Sequence, residues 1–594
     1  MTPRDPHPAE LWSFEGRGDR DTLETPQLNG WDEAGRALLV RMLAELAYEE
    51  MLAPVVDGAG WRIDLPDSIT YTFAASQGTF GTWRIDATSV ARDGQPACDP
   101  VRFALDVRSL LGLDGPSMAE LVRDLIATQT ADVRLRARAL TVEQLADLSH
   151  EDLESHQTGH PCIVLNKGRL GFSAADAARY TPEAAGEFRL VWIAVAPELG
   201  TSAGPDVRTD ELDAATRERF AARITSGDPD AYHWLPVHPF QWDEVIQPLF
   251  APQLVAGTVV RLGESPDRYR PLQSVRTLTN LDSPHRRNVK VSLMIRNTLV
   301  WRGLSGAEAG CAPYTTAWLQ HLREADPFLR DECRIAMLGE VASVTVPHPV
   351  LAAVPDAPYR YHELLGTIWR EPVASYLEPG ERARTMASLL LTDRDGRVFV
   401  AELVRRSGLD ARAWLRAYFH ALLPPILHYL YRYGACFTPH GENVVLIFDG
   451  RDVPVRIALK DFGADVELLD TDVPEYDLIP ADVRAQLHRW SAGELAHSVL
   501  SAICAGVFRF LAPLVEEQLA VPESDFWALV RAEIVAYHER FGIESDAFGL
   551  LAPTFGRVSL NREQLIGGGF HDRSERDAEF DVINGVVANP LAAP

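Results

Sequence analysis

The stretch YLYRYGACFTPHGENVVLIFDGRDVPVRIALKDFGADV, residues 429–466, decides the fold that we expect. Alternating apolar residues predict two strands, 444–448 and 455–459, joined by an Asp-Gly turn. The hairpin would return the segment Lys460-Asp461-Phe462-Gly463 to the polar turn His440-Gly441-Glu442-Asn443, which precedes the first strand. Two polar clusters are therefore predicted to meet at one end of the hairpin.

The side chains of these two clusters suit a magnesium-nucleotide site. Asn443 and Asp461 offer the hard oxygen ligands that Mg²⁺ prefers, and Glu442 could add a further carboxylate. His440 can donate to a phosphate oxygen. The alternative is that His440 and Asn443 only cap the turn and that Asp461 lies in an ordinary loop. Their combination on one hairpin favours the site.

A second informative stretch, QSVRTLTNLDSPHRRNVKVSLMIRNTLVWRGLS at 273–305, is rich in cations and hydroxyls. We expect a strand over 290–295, followed by Thr298 and Arg302 at helical spacing. The cluster could surround a triphosphate through charge-assisted hydrogen bonds. The alternative is a solvated, positively charged hairpin. The residues concerned are Ser274, Arg276, Thr277, Lys290, Thr298 and Arg302.

Three further signals are weaker. Glycines flank Lys167 and Arg169 in NKGRLGFS and would let an anion approach the backbone, with Ser173 as the N-cap of the helix that follows. A solvated surface turn is the alternative. Arg370 and Glu371 form either an ion pair bordering the site or a surface pair. His238 lies among prolines and aromatic residues, which favours a core histidine.

Composition excludes several classes of protein. The chain has 594 residues, with 57 basic and 84 acidic side chains and a net charge of −27, which argues against nucleic acid and anionic membranes as partners. The six cysteines are scattered, so neither a zinc site nor a disulfide framework is expected. The first residues contain no apolar run, and Arg509 interrupts the apolar segment 499–515. We therefore expect a cytoplasmic protein without a membrane span.

Length and periodicity predict a multidomain α+β fold. After an irregular arm at 1–30, an amphipathic helix is expected from Asp32 to Leu52, and a long helix from Asp410 to Tyr433 should be kinked at Pro424-Pro425. We divide the chain into three domains, at 1–155, 156–355 and 356–594. We see no independent chemistry in the tail, residues 555–594.

Taken together and in order, these motifs resemble the IucA/IucC family of siderophore synthetases, which work without a nonribosomal peptide synthetase. The resemblance runs from about residue 70 to the C-terminus. The TPHGEN and KDF forms and the tail NREQL...HDRSERD are most similar to the branch that contains desferrioxamine synthetase. The motifs that carry the resemblance are GHPCIVLNKGRLGFS (159–173), HPFQW (238–242), SVRT (274–277), the spaced Lys290, Thr298 and Arg302, TPHGENVVLIF (438–448) and LKDF (459–462).

The resemblance implies a thumb domain at 1–155, a fingers domain at 156–355 and a palm domain with a kinase-like hairpin at 356–594, with ATP between fingers and palm. It also implies a homodimer. The implied reaction activates a carboxylate as an acyl-adenylate, releases pyrophosphate and joins the acyl group to an amine.

The same resemblance implies roles for individual residues. Catalysis would fall to Arg302, His440 and Lys290, because donors must be fixed around the charge that develops on the α-phosphate. Thr438, Glu442 and Arg370 would contact the substrate. Asn443, Asp461 and Glu442 would bind magnesium. ATP would be held by Ser274, Arg276, Thr277, Lys290, Thr298, Arg302, His440, Asn443, His160 and Lys167.

Departures from the family pattern bear on the substrate. Relatives that use free citrate carry glutamate at the position of Thr438 and glutamine at that of Glu442, so free citrate is not the expected substrate. Cys162 stands close to where a second histidine often follows the GHP motif, which weakens the case for His160. We expect the succinyl group of an N-hydroxy-N-succinyl-diamine such as the cadaverine derivative, giving a desferrioxamine-like hydroxamate, or else a citrate monoamide.

Two other functions fit parts of the pattern. HGEN followed by DFG also resembles the motifs of small-molecule kinases, with Asp461 as the metal ligand. No GxGxxG loop precedes them, however, and the base aspartate expected after His440 is missing. A binding protein that has lost activity would be expected to have lost at least one of the charged site residues, and all of them are present.

Overall fold

The computed structural model describes residues 30–574 and 582–592, so the arm predicted at 1–30 lies almost wholly outside the described residues. The first section is helical with a small antiparallel sheet of order β1-β2-β3-β6-β7 and a separate hairpin, β4–β5. Its elements are α1 Trp31–Tyr48, β1 Val55–Asp57, β2 Gly60–Asp64, β3 Thr70–Phe73, β4 Ala75–Gln77, β5 Trp83–Ile85, β6 Ala91–Arg92, β7 Gln95–Pro96, α2 Pro100–Leu111, α3 Gly115–Ala137, α4 Val142–Asp147 and α5 His150–Glu154.

The middle section is built around antiparallel sheets. Ser173 caps the helix that follows it, as predicted, in a capping box with Asp176. The elements are α6 Ala174–Tyr180, β8 Val191–Val195, β9 Thr201–Ala203, α7 Arg208–Glu211, α8 Ala214–Ala221, β10 His233–Val237, α9 Pro239–Gln241, α10 Gln247–Leu249, α11 Ala251–Ala256, β11 Val259–Glu264, β12 Tyr269–Pro271, β13 Thr277–Asn280, β14 Asn288–Val291, β15 Leu293–Asn297, β16 Val300–Arg302, α12 Gly306–Ala325, β17 Ala336–Met337, β18 Glu340–Thr345 and β19 Gly366–Arg370.

The last section contains the predicted hairpin and most of the long helices. Its elements are β20 Arg382–Thr385, α13 Phe399–Ser407, α14 Ala411–Tyr433, β21 Ala435–Cys436, β22 Val444–Phe448, β23 Pro454–Leu459, β24 Glu467–Leu469, α15 Ala481–Arg484, β25 Arg489–Trp490, α16 Ala492–Leu500, α17 Arg509–Leu519, α18 Glu523–Phe541, β26 Thr554–Val558, α19 Leu560–Leu565 and β27 Ile583–Ala588.

Strands β22 and β23 are the hairpin predicted from the sequence. They lie in a four-stranded sheet of order β17-β23-β22-β20, in which β17 runs parallel to β23. Helix α14 leads into this sheet: Asp410 caps its first turn, it continues through Pro424 and Pro425, and Gly434 ends it in the left-handed conformation at φ 57°. The polar turn at 440–443 is therefore fixed between a long buried helix and a buried strand.

The second important sheet has six strands in the order β12-β13-β14-β19-β18-β9. The strand predicted over 290–295 is in fact two strands, β14 and β15, separated at Ser292. Strand β19 pairs with both β14 and β18, so the sheet continues past the domain boundary predicted at residue 355. Residues 366–370 therefore belong to the same sheet as residues 288–291 and 340–345.

Two large apolar cores account for most of the buried side chains. One combines the N-terminal helices with the C-terminal half and includes Leu39, Phe103, Phe419 and Phe508. The other lies within residues 180–369 and includes Trp192 and Leu278. The multidomain α+β class is confirmed, and the predicted first and third domains share one core.

The apolar segment around Arg509 belongs to a continuous helical run, Ala492–Leu519, whose middle part is π-helical. By length and composition alone it could cross a membrane, but 72% of its apolar window is buried inside the protein. Arg509 is buried within it, bonds Glu45 of α1 at 2.6 Å and lies 3.8 Å from the centre of the Tyr48 ring. These contacts are those of a core helix that holds α1 in place.

Candidate active site

The turn before β22 fixes the imidazole of His440. Thr438 adopts a left-handed backbone conformation at φ 44°, and the chain then reverses so that the backbone N–H groups of Glu442 and Asn443 donate to His440 Nδ1 at 3.1 and 3.3 Å. Because Nδ1 accepts, the ring proton is on Nε2. Desolvation lowers the pKa of His440 to about 4. The side chain is a neutral Nε2–H donor at neutral pH.

His160 is held in the same way. Its Nδ1 accepts from the backbone N–H of Cys162 at 3.3 Å, so its proton is also on Nε2. Desolvation, followed by the nearby His440, Arg509 and Arg302, lowers its pKa to about 3. Arg302 also affects the pKa of His440. The three residues, from distant parts of the chain, are therefore electrostatic neighbours.

Arg302 lies on the hairpin β15–β16 and not on a helix. The helical spacing predicted for Thr298 and Arg302 is wrong, because Thr298 occupies the hairpin turn at φ 61° and Arg302 pairs with Leu293 across the strands. The two residues still meet: Arg302 Nη2 donates to Thr298 Oγ at 2.9 Å and to the carbonyl of Asn297 at 3.2 Å.

The SVRT segment lies beside this hairpin. Ser274 Oγ accepts from the backbone N–H of Thr277 at 3.1 Å. Arg276 is buried and donates to the carbonyl of Gly303, the residue after Arg302. Thr277 pairs directly with Lys290 between β13 and β14. Thr277 and Lys290 thus lie on neighbouring strands, and the Arg276 side chain links the SVRT segment to the residue after Arg302.

An ion-pair network connects the six-stranded sheet to the loop after β23. Arg370 Nη2 lies 2.8 Å from Glu340 Oε1 and 2.8 Å from Asp461 Oδ1. Lys290 Nζ also contacts Asp461, and it lies 3.5 Å from Glu340. Glu340 Oε2 accepts from the backbone N–H of Gly463 at 2.8 Å. The network brings Lys290 of β14 into contact with Asp461, which follows β23.

Asp461 is ionised in this network. Burial would raise its pKa, but Arg370 and Lys290 together lower the pKa well below the usual value. Its backbone adopts φ 75°, a conformation that non-glycine residues adopt rarely and mostly when the surrounding structure holds them. Placing this carboxylate therefore costs backbone strain at Asp461.

The structure corrects the predicted role of Arg370. The predicted ion pair with Glu371 is absent, because Glu371 Oε2 accepts instead from Gln320 at 3.0 Å, Gly339 at 3.1 Å and Tyr376 at 2.6 Å. Arg370 is only 1% exposed and is engaged by two carboxylates. Arg370 therefore links the six-stranded sheet to the loop after β23. Its position is not that of a side chain that contacts substrate.

Lys167 is likewise used inside the protein. Its ammonium lies 2.9 Å from Asp132 Oδ1 and 3.0 Å from Asn166 Oδ1 and also donates to the carbonyl of Thr158, which accounts for all three of its N–H donors. Arg169 pairs with the buried Glu183. The predicted anion-binding turn is therefore a buried ion-pair site, and Lys167 does not line a phosphate site.

The oxygen atoms of Asn443 and Asp461 are of the kind that a magnesium ion would take as ligands. The amide nitrogen of Asn443 donates to Asp465 Oδ2 at 2.7 Å and to the carbonyl of Thr438 at 3.4 Å, which leaves Oδ1 to act as a ligand. Both ion pairs of Asp461 use Oδ1, so Oδ2 is the oxygen that a metal could take. Within residues 30–574 and 582–592, no group of three His, Cys, Asp or Glu side chains could hold a metal by itself.

Glu442 faces the same region. Desolvation raises the pKa of its carboxyl group, while nearby Lys460 opposes that effect, and the charges of Glu154 and Arg302 also reach it. Neither Lys460 nor Glu154 was among the predicted site residues. Glu442 is thus a partly buried acid beside the predicted phosphate cations, with Thr438 four residues before it on the same turn.

Three further residues were missed. Glu340 connects both buried cations and lies at the start of β18, where no sequence signal marks it. Asp465 bonds Asn443, and burial together with Asp461 raises its pKa to about 7. Its position four residues after Asp461 could have suggested it. Gln564 Nε2 donates to the carbonyl of Thr298 at 2.9 Å from the tail, to which we assigned no chemistry.

Comparison with known proteins identifies the family of this chain. Residues 149–391 match the IucA / IucC family, and residues 412–569 match a ferric iron reductase FhuF-like transporter family. The chain is 34% identical over 581 residues to the rhizobactin siderophore biosynthesis protein RhbF of Rhizobium meliloti (strain 1021), covering 95% of this chain and 96% of the relative. The chain belongs to the IucA/IucC family.

A solved structure and a further relative extend the likeness. The structure of aerobactin synthetase IucC from a hypervirulent pathotype of Klebsiella pneumoniae superposes with a TM-score of 0.83 and 31% identity, covering 95% of this chain and 98% of the other. A citryl-spermidine/3,4-dihydroxybenzoyl-citryl-spermidine:spermidine ligase of Bacillus anthracis is 29% identical over 571 residues, covering 89% of this chain and 90% of the relative.

Membership of the IucA/IucC family settles the class of the enzyme. The chain is a siderophore synthetase of the type that works without a nonribosomal peptide synthetase, and it forms amide bonds between small-molecule carboxylate and amine precursors. The kinase and inactive-binder alternatives are set aside.

Proposed function

We propose that this synthetase uses ATP and Mg²⁺ to adenylate a carboxylate and then passes the acyl group to an amine. The observation that carries the proposal is the group of His160, His440 and Arg302. Both histidines are neutral Nε2–H donors, and the charge of Arg302 adds to desolvation in lowering the pKa of each, as expected for groups that are close together. Such fixed donors are what a phosphate needs when charge accumulates on it.

We assign the nucleotide phosphates to the segments around the hairpin β15–β16. Ser274, Arg276 and Thr277 on one side, and Thr298 and Arg302 on the other, are already linked by hydrogen bonds. Lys290 and Lys460 add positive charge. Their preorganisation would reduce the reorganisation needed when the anion enters. Lys167 has no part in this proposal, since its donors are all used.

Magnesium would be held by Asn443 Oδ1 and Asp461 Oδ2, with Glu442 as a further candidate from the sequence. When bound, the ion would neutralise phosphate charge and orient the nucleotide. Asp465 keeps the Asn443 amide turned so that its oxygen faces the site. Lys290 and Arg370 hold Asp461 ionised, which a metal ligand requires.

In the first step a carboxylate oxygen of the acyl donor attacks the α-phosphorus, and the bond to the bridging oxygen of pyrophosphate breaks. Arg302 and the Nε2–H of His440 would donate to the α-phosphate oxygens as charge builds on them. In the second step the amine attacks the acyl carbon, AMP leaves, and the amine gives up a proton. The products are an amide, AMP and pyrophosphate.

For the acyl donor we propose the succinyl group of an N-hydroxy-N-succinyl-diamine, which would yield a desferrioxamine-like hydroxamate. The support is the sequence of the turn, with Thr438 and Glu442 where relatives that use free citrate carry glutamate and glutamine. A citrate monoamide is the second candidate. It is favoured by the Bacillus anthracis relative, whose name gives citryl-spermidine as a substrate. The cytoplasm is the proposed location.

The role of Arg302 is tested by replacing it with alanine. We expect Arg302→Ala to lower turnover by about 100-fold or more, the usual effect of removing a donor to a developing oxyanion, with the melting temperature unchanged. Arg268→Ala serves as a control, because that arginine is half exposed and pairs with Asp282 and Glu187. If Arg302→Ala turned over at the rate of the control, the proposed phosphate site would be wrong.

A further inference from the structure

The C-terminal segment 560–573 packs along the hairpin that carries Arg302. Arg296 Nη1 donates to the carbonyl of Phe570 at 2.9 Å, Gln564 Nε2 donates to the carbonyl of Thr298 at 2.9 Å, and Trp301 Nε1 donates to Asp572 Oδ1 at 2.9 Å. These contacts lie on both strands of the hairpin and at its turn. The third is made by Trp301, the residue before Arg302.

The segment is itself anchored to the large core. Glu49 of α1 accepts from the backbone N–H of Asn561 at 3.0 Å and from its side-chain amide at 2.7 Å. Asn561 Oδ1 in turn accepts from the backbone N–H of Val164 at 2.9 Å. Helix α19 is therefore a fixed base, and Gln564 reaches the hairpin from it.

Gln564 makes the contact with the turn. Its side chain is 1% exposed, and because a carbonyl can only accept, the bond to Thr298 determines which end of the amide faces the turn. Thr298 needs such support. It is a β-branched residue at φ 61°, a conformation that is strained and persists only where the surroundings hold it.

The strained turn is hydrogen-bonded to Arg302, the cation that we propose binds the phosphates. Thr298 Oγ accepts from Arg302 Nη2 at 2.9 Å. The backbone conformation at Thr298 therefore determines the position of the hydroxyl to which Arg302 donates. We propose that Gln564 is a positioning residue: it holds the Thr298 turn in its left-handed conformation and thereby sets the direction of the Arg302 guanidinium. This inference rests on the proposed phosphate role of Arg302.

The test compares two buried glutamines. Gln564→Met keeps the length of the side chain and removes the donor. Gln129→Met is the matched control, since Gln129 is 2% exposed and donates to a single backbone carbonyl, that of Trp31, at 2.9 Å. Misplacing a catalytic group by about 1 Å can cost about 100-fold in rate. We expect Gln564→Met to lower kcat by up to that factor with a smaller change in the KM for ATP, and the control to keep both.

A double-mutant cycle separates positioning from general damage. In the Arg302→Ala background, Gln564→Met should add no further loss of kcat, because its effect passes through Arg302. A similar loss in both backgrounds would overturn the inference. So would wild-type kcat in the Gln564→Met single variant while Arg302→Ala is impaired. If Arg302→Ala itself kept its turnover, the proposed function would fail first.

A second variant covers the case in which Gln564→Met does not fold. Thr298→Ala removes the hydroxyl that accepts from Arg302 but leaves the Gln564 bond to the backbone carbonyl available. Thr298 is only partly buried, so the protein should tolerate the change. We expect the same pattern, a fall in kcat exceeding the change in KM for ATP. Unchanged kcat in Thr298→Ala would show that the turn does not set Arg302.

Discussion

His160 and His440 come from distant parts of the chain, yet the same local arrangement determines their protonation. In each, a backbone N–H two residues further along donates to Nδ1. This places the proton on Nε2 and makes the ring a donor at a defined atom. Neutral donors suit a phosphate site in which Arg302 already supplies positive charge.

A pH titration tests that state. The pKa values of about 3 and about 4 lie below the usual 6.5, so between pH 4 and 6.5 the unfolded chain binds more protons at these sites than the folded protein. Their contribution to stability is complete above pH 6.5 and is lost as the pH falls toward 4. We expect the His440 ring signal, assigned with His440→Gln by NMR of labelled histidine, to show no titration between pH 5.5 and 8. A midpoint near 6.5 would contradict the assignment.

Glu442 leads to a prediction about the amine substrate. A carboxylate on the turn would attract the ammonium end of an incoming diamine, so Glu442→Gln should raise the KM for the amine by a larger factor than the KM for ATP. Steady-state kinetics with each substrate varied in turn measures both. Glu378→Gln is the control, since Glu378 is exposed and pairs with Arg334. An unchanged KM for the amine would remove Glu442 from the amine site.

At the scale of elements, what could be predicted from the sequence was local. The hairpin β22–β23 and the helix α14 follow from alternation, an Asp-Gly turn and a Gly stop. The hairpin β15–β16 could not be recognised from the sequence. The spacing of four between Thr298 and Arg302 brings the two side chains together both in a helix and across a tight turn. Choosing the turn requires a threonine at positive φ, which propensity disfavours.

The partners of the buried charges could not be predicted either. Arg370 stands next to Glu371 in sequence, but its partners are Glu340 and Asp461, on another strand and in a distant loop. Lys167 similarly pairs with Asp132 of α3. Such pairings depend on the order of strands and the packing of helices, which a single sequence does not contain.

This network leads to a stability prediction. Arg370→Met leaves Glu340 and part of the charge of Asp461 uncompensated in a buried position, so it should destabilise the protein by about 3–5 kcal/mol. The exposed pair of Arg268 should contribute no more than about 1 kcal/mol, so Arg268→Met is the control. Thermal denaturation of both variants gives the comparison. Equal melting temperatures for the two would contradict the structural role of Arg370.

At the scale of the whole molecule, the proposed site combines residues from the regions of both apolar cores. The body within residues 180–369 contributes SVRT, Lys290 and Arg302, and the body that joins the N-terminal helices to the C-terminal half contributes His440, Asn443 and Asp461. The sequence suggested three successive domains, because hydrophobic periodicity does not reveal contacts between distant segments, such as the ion pair that joins Glu45 of α1 to Arg509 of α17.

The central claim is adenylation, and the nucleotide product tests it most directly. The purified protein is incubated with ATP and Mg²⁺ and, in parallel, with N-hydroxy-N-succinyl-cadaverine, with citrate and with citrate monoamides. We predict AMP and pyrophosphate with the succinyl hydroxamate. The same products with a citrate monoamide alone would keep the mechanism and change the acyl donor. ADP as the nucleotide product would contradict the adenylation mechanism.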